Sequence, residues 1–123
     1  MKPRKAGIAR IIDAFGYSMK GINFAWQNEA AFRQECCLAF VLLPLAFFLA
    51  ENAVQLVLLI LPVFIVLIVE LLNSAIEAVV DRHGDELHIL SGAAKDIASA
   101  AVFFSLILLG LIWMLILIDI ILI

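Results

Sequence analysis

This sequence predicts an all-α integral membrane protein with three transmembrane helices and an N-terminal amphipathic surface helix. Three observations carry the prediction. First, hydrophobic residues make up 66 % of the 123 residues and charged residues 15 %, at a mean hydropathy of +1.17. A soluble domain holds roughly 45–50 % apolar and about 25 % charged residues. A chain this short cannot hide such an excess in its own core, so a soluble monomer and a disordered chain are both excluded. Second, three apolar runs approach or reach the length needed to cross about 30 Å of hydrocarbon. Third, the residues ahead of them repeat apolar side chains at the helical period. The chain reads as a single membrane domain, residues 1–123, with helices at about 6–27, 30–50, 53–81 and 93–119.

The first element is amphipathic. Ile8, Ile11, Ile12, Phe15, Met19, Ile22 and Trp26 follow i, i+3, i+4, i+7 spacing, while Arg10, Asp13, Tyr17 and Lys20 project from the opposite side. Such a helix lies in the membrane interface. The plain alternative is a mere anchor. Gly16 and Gly21 argue against that, since each weakens the helix by about 1 kcal/mol relative to Ala. The basic start, Met1-Lys2-Pro3-Arg4-Lys5, is followed by Arg10 and Asp13 rather than by an apolar segment, so no secretory signal is read here.

The first span is the run Cys36 to Ala50. It gains adequate length if Ala30 to Glu35 form its interfacial end, with Arg33 and Glu35 snorkelling toward water. Cys36 and Cys37 are adjacent, which is neither a disulfide framework nor a metal-ligand spacing; they read as small apolar helix residues. Glu51-Asn52 interrupts the hydropathy. The second span then runs from Ala53, apolar to Val69 except for Gln55, and stays helical through Val80. Pro44 and Pro62 fall inside these two helices, where each removes a backbone donor. A polar stretch from Asp81 to Asp96 carries Gly84 and Ser91-Gly92 as expected breakers. Ile97 to Ile118 is the third span. All are helices because a span must close its backbone hydrogen bonds internally.

Basic residues orient the bundle. Six of the eight precede residue 35, and the other two, Arg82 and Lys95, lie between the second and third spans. The positive-inside rule places the N-terminus and that second loop in the cytoplasm and the C-terminus on the opposite side.

The informative charges are the misplaced ones. With Glu70 at zero on the helical wheel, Asn73 falls at about −60°, Glu77 at about −20° and Asp81 at about +20°. Three carboxylates and an amide thus form one stripe on an otherwise apolar helix. An ionisable group at membrane depth costs several kcal/mol unless paired, hydrated or protonated, and is a functional hypothesis by default. The plain alternative, a polar packing seam, needs only Ser, Asn or Gln. Counting from Ala53, Glu70 lies about 25 Å along the helix, just inside the cytoplasmic boundary, and Glu77 about 10 Å further. A lipid hydroxyl suits the upper carboxylate and a water-soluble metal–phosphate complex the lower ones.

Other groups can converge there: Glu29 and Glu35 at the start of span one, and Asp85, Glu86, His88, Lys95 and Asp96 around the second loop. Carboxylates suit Mg²⁺, which takes one or two of them together with phosphate oxygens. Lys95, Arg10 and Arg82 suit phosphate. His88 alone is a weak signal, since a single loop histidine is usually polar surface. The chain has no P-loop, no dinucleotide fingerprint and no protein-kinase signature. The net charge of −3 averages a net +3 over residues 1–35 and a net −4 over residues 70–96.

The segments Asn28-Glu29-Ala30-Ala31-Phe32-Arg33-Gln34-Glu35, Val69 through Arg82 and Ala94 through Val102 closely resemble the prokaryotic diacylglycerol kinase family. The match runs from about Gly7 to Trp113, and the run Glu70-Leu71-Leu72-Asn73-Ser74-Ala75-Ile76-Glu77-Ala78-Val79-Val80-Asp81 is highly specific. The resemblance implies a homotrimer in the bacterial inner membrane. Its active sites would lie between protomers and transfer the γ-phosphate of ATP to sn-1,2-diacylglycerol, giving phosphatidic acid. By position it implies Glu70 as general base and Glu29 and Glu77 as ligands of Mg²⁺. Arg10, Tyr17, Glu86, His88, Lys95 and Asp96 match nucleotide contacts, with Glu29 and Glu77 reaching the nucleotide through the metal. Arg10, Trp26, Glu70 and Ser99 match lipid-side contacts, and Asn73 and Asp81 match polar residues that shape the site. Ala98, Cys36-Cys37 and the apolar tail from Leu115 depart from the family pattern, none at a proposed catalytic position.

Two rival readings remain. A kinase of the same fold acting on undecaprenol is similar, although the loop Asp81 to His88 with Leu90-Ser91-Gly92 looks more like the diacylglycerol branch. A small proton-coupled exporter also carries intramembrane glutamates, but has no need of Lys95, Asp96, His88 or a basic interfacial helix. Nucleic acid is not an expected partner.

Overall fold

The computed structural model describes residues 6–82 and 88–123. It is all-helical, in the order α1 (Ile8–Asn28), α2 (Ala30–Leu49), α3 (Ala53–Arg82) and α4 (Ile89–Leu122). Helices α2, α3 and α4 are each long and apolar enough to cross a membrane. At 1.5 Å per residue, α3 with its 30 residues is about 45 Å long and α4 with 34 about 51 Å. Both exceed a hydrocarbon core, so each carries a polar end beyond it.

Helix α3 is the centre of the bundle. It packs most extensively on α4, next on α2, and only lightly on α1. The core holds Ala39 and Ala46 of α2, Leu59, Val63 and Val66 of α3, and Leu109 and Trp113 of α4. Small residues on α2 let the backbones approach, as association within a bilayer requires. Pro62 is fully buried on α3. Its ring deletes the bond to the carbonyl of Leu58. One residue along, the carbonyl of Leu59 accepts a hydrogen bond from Trp113 Nε1 at 3.0 Å, in a buried position.

The turn between α2 and α3 is built from the residues that interrupt the hydropathy. Asn52 caps α3, its Oδ1 accepting from Gln55 N at 2.9 Å. Gln55 reaches back, its Oε1 accepting from Glu51 N at 2.9 Å, a variant of the capping box. Gln55 Nε2 also donates to Asp119 Oδ2 at 3.0 Å, tying the end of α4 to this turn. Gln55, the lone polar residue of the apolar run, thus has a partner for each side-chain polar atom.

Two boundaries differ from expectation. Helix α4 starts at Ile89 rather than near 93, and Ser91-Gly92 lies inside it rather than breaking it. The reason is the cap: His88 Nδ1 accepts from Leu90 N at 3.0 Å, and His88 O accepts from Gly92 N at 3.1 Å. A good cap offsets the helix-weakening glycine. At the other end α4 runs on to Leu122. Helix α1 follows Gly7, whose φ of 68° is a conformation that favours glycine.

Candidate active site

The acidic stripe of α3 is continuous with its packing stripe. Leu59, Val63 and Val66 lead into Glu70, Asn73 and Ser74 on one buried face, repeating at helical spacing. Glu70 is only 2 % exposed. Asn73 Nδ2 donates to Glu77 Oε1 at 3.3 Å, and the amide is also within reach of Glu70. Asn73 Oδ1, Ser74 Oγ and Glu35 Oε2 are buried without a hydrogen-bond partner. Each such atom costs about 1–3 kcal/mol, so this face is not packed for stability alone. Glu35 of α2 lies within electrostatic reach of Glu70.

Glu29 is the only residue between α1 and α2. Its backbone is extended, with φ −120° and ψ 107°, and it ends one helix while starting the next. Its carboxylate feels Glu77 and Asp81 of α3. Partial burial, and then the repulsion of these two neighbours, holds the Glu29 carboxyl above the usual carboxylate range. Three acids from two elements thus share one electronegative region. Lys95 at the start of α4 borders it, its Nζ 2.6 Å from Asp81 Oδ1.

The structure therefore brings together Glu29, Glu70, Asn73, Glu77, Asp81 and Lys95. It leaves the other sequence-derived residues elsewhere. His88 caps α4, which makes its Nδ1 an acceptor and leaves Nε2 as the nitrogen that can address a phosphate. Asp96 and Ser99 are exposed on α4. Trp26 is half-exposed and lines an apolar groove of about 410 Å³ with Cys36, Cys37, Phe40 and Val41. Arg10 and Tyr17 stand about 28 Å and about 18 Å along α1 from Glu29, on a helix whose Ser18 to Ala25 stretch lies against Leu71 to Ala78 of α3. Glu86 lies outside the described residues.

Sequence reasoning gave no role to Ser74 and named Glu35 only as one of the groups that can converge at this level. Ser74, four residues after Glu70, was within reach of the helical wheel. Glu35 was not, because its approach to Glu70 depends on how α2 packs on α3. Among the described residues no three of His, Cys, Asp and Glu cluster closely enough to hold a metal ion by themselves. A pair of carboxylates suits a hard cation only where ligand oxygens and water complete the shell.

A family model described as prokaryotic diacylglycerol kinase matches residues 16–117. A diacylglycerol kinase of Escherichia coli K12 is 52 % identical over 113 residues, covering 92 % of this chain and 93 % of that protein. One from Haemophilus influenzae is 48 % identical over 110 residues, covering 89 % and 93 %. One from Helicobacter pylori 26695 is 46 % identical over 111 residues, covering 90 % and 87 %. With its three membrane-length helices and a match over most of its length, this chain belongs to the prokaryotic diacylglycerol kinase family.

Proposed function

We propose that the protein transfers the γ-phosphate of ATP to the free hydroxyl of sn-1,2-diacylglycerol, releasing ADP and phosphatidic acid. The observation that carries this reading is the meeting of Glu29 with Glu77 and Asp81 next to the enclosed Glu70. Depth along α3 divides the labour. Glu70 sits where a lipid hydroxyl arrives, and Glu29 and Glu77 sit where a hydrated nucleotide arrives.

Glu70 accepts the hydroxyl proton as the hydroxyl oxygen bonds to the γ-phosphorus and the bond to the β–γ bridging oxygen breaks. Asn73 holds Glu77 and borders Glu70, keeping the two carboxylates in register. Glu29 and Glu77 would hold Mg²⁺, which supplies positive charge against the phosphate oxygens. Lys95, with Asp81 as its partner at rest, is placed to meet a phosphate, and Asp96, His88 Nε2 and Glu86 complete the nucleotide side. Trp26 and Ser99 face the lipid. Positioning and charge neutralisation carry most of such a reaction, with little covalent help.

The assembly we propose is a homotrimer with shared sites. In such shared sites Arg10 and Tyr17 of α1 complete the nucleotide side. The apolar stripe of α1 is exposed throughout, with Ile8 at 76 % and Phe15 at 65 %, which supports a helix lying in the cytoplasmic interface of the inner membrane. The charge distribution supports a cytoplasmic N-terminus and a periplasmic C-terminus.

The test supplies purified protein in mixed micelles with labelled Mg-ATP and diacylglycerol, undecaprenol or no lipid. Label in diacylglycerol is the expected result. Label confined to undecaprenol overturns the substrate, and label in neither lipid overturns the kinase.

A further inference from the structure

The elbow between α1 and α2 is one residue long, and that residue is Glu29. A helix that ends so abruptly leaves its last four carbonyls without intrahelical donors. Here three of the four are met in a specific way. Ala25 O accepts from Glu29 N at 2.8 Å. The next two carbonyls, of Trp26 and Gln27, both accept from Arg33 Nη1, at 2.7 Å and 3.4 Å. Glu29 O accepts from Arg33 N at 3.2 Å. Arg33, in the first turn of α2, therefore grips the end of α1 with its side chain and the elbow residue with its backbone.

From sequence, Arg33 reads as a residue snorkelling toward water. The geometry is different, because the guanidinium turns back across the elbow instead of outward. A cation at a helix C-terminus is favoured by the helix dipole, and a donor reaching back across the elbow fixes the angle between the two helices.

We propose that Arg33 is a positioning residue: by locking the α1–α2 elbow it aims the Glu29 carboxylate at Glu77, and so sets the affinity of the site for a divalent cation with its nucleotide. The proposal rests on the reading of Glu29 and Glu77 as the metal ligands. Outer-shell groups that orient a metal ligand commonly govern metal affinity as strongly as this requires.

The test uses full-length Arg33→Ala and Arg33→Lys in micelles, with Glu29→Gln and Glu77→Gln beside them. Binding of Mn²⁺ together with a non-hydrolysable ATP analogue is read by electron paramagnetic resonance. The KM for Mg-ATP, the KM for diacylglycerol and kcat are measured in parallel, with helix content by circular dichroism. Arg33→Ala is expected to weaken Mn²⁺–nucleotide binding and raise the KM for Mg-ATP roughly tenfold. The KM for diacylglycerol, kcat and helix content should stay near wild type. Arg33→Lys, whose ammonium can still meet a carbonyl, should recover part of the loss. Wild-type Mn²⁺ binding in Arg33→Ala, while Glu29→Gln weakens it, overturns the proposal alone. Unchanged Mn²⁺ binding in Glu29→Gln and Glu77→Gln overturns the metal-site reading beneath it. Equal losses toward lipid and nucleotide, with falling helix content, make Arg33 a structural residue only. If Arg33→Ala does not fold, Arg33→Lys decides: a shift confined to Mn²⁺ and Mg-ATP supports the proposal, and wild-type values overturn it.

Discussion

Lys95 Nζ stands 2.6 Å from Asp81 Oδ1, joining the start of α4 to the end of α3 across the mouth of the acidic cluster. The side chains are 43 % and 64 % exposed. Water screens such a pair, and it contributes little to stability. Asp81 holds the ammonium beside Glu77, and on the proposed function a phosphate competes for it. Lys95→Met should therefore raise the KM for ATP by roughly tenfold or more, the scale of one charge-assisted contact, without lowering the melting temperature. Steady-state kinetics and thermal denaturation of the same preparation check both halves.

Glu70→Gln should lower kcat by about 10²–10⁴, the usual contribution of a positioned general base. Binding of a non-hydrolysable Mg-ATP analogue should be almost unchanged, since the amide is isosteric and Glu70 lies on the lipid side. Near-normal turnover in this variant would remove Glu70 from the chemistry.

Glu29 sets an expected pH dependence. Its carboxyl is held above the ordinary range by partial burial and by Glu77 and Asp81. The folded protein thus holds this proton more tightly than the unfolded chain does. That contribution to stability is present at low pH and is lost as pH rises through the raised value. A cation needs the deprotonated form, so half-saturating Mg²⁺ should climb on acidification from a higher pH than an ordinary carboxylate would give. Asp81→Asn removes one repelling charge and should move that onset to lower pH. An unmoved onset in Mg²⁺ titrations across pH would separate Asp81 from Glu29.

Trp113→Phe should destabilise the bundle by about 1–2 kcal/mol. The indole N–H is the donor to the buried carbonyl of Leu59, and phenylalanine fills most of the space without replacing it. Equilibrium unfolding in micelles measures the loss. Turnover at a temperature where the variant is fully folded should stay close to wild type, because Trp113 lies far along α4 from Lys95.

Much of this was readable from residue order. The three long helices follow from apolar runs, because a bilayer accepts only segments that satisfy their own backbone. The alignment of Glu70, Asn73, Glu77 and Asp81 follows from 3.6 residues per turn, a property local to one helix. Even the role of Asn52 as a cap is implicit in a polar residue standing before an apolar run.

The tertiary structure decided where separate helices meet. No periodicity shows that α1 and α2 share a single-residue elbow, or that Arg33 turns back to hold it. The same pattern that reads as a snorkelling arginine serves equally well for a clamp, since the difference lies in the direction of the chain before it. Ser91-Gly92 continues α4 instead of breaking it for a related reason: the side-chain cap from His88 outweighs the weak helix propensity of a glycine. Gln55 found its partner 64 residues away in Asp119. Hydropathy and period act along the chain and specify helices, whereas the approach of Glu29 in the elbow and of Glu35 on α2 to the acids of α3 is a meeting of separate segments, and only packing sets that.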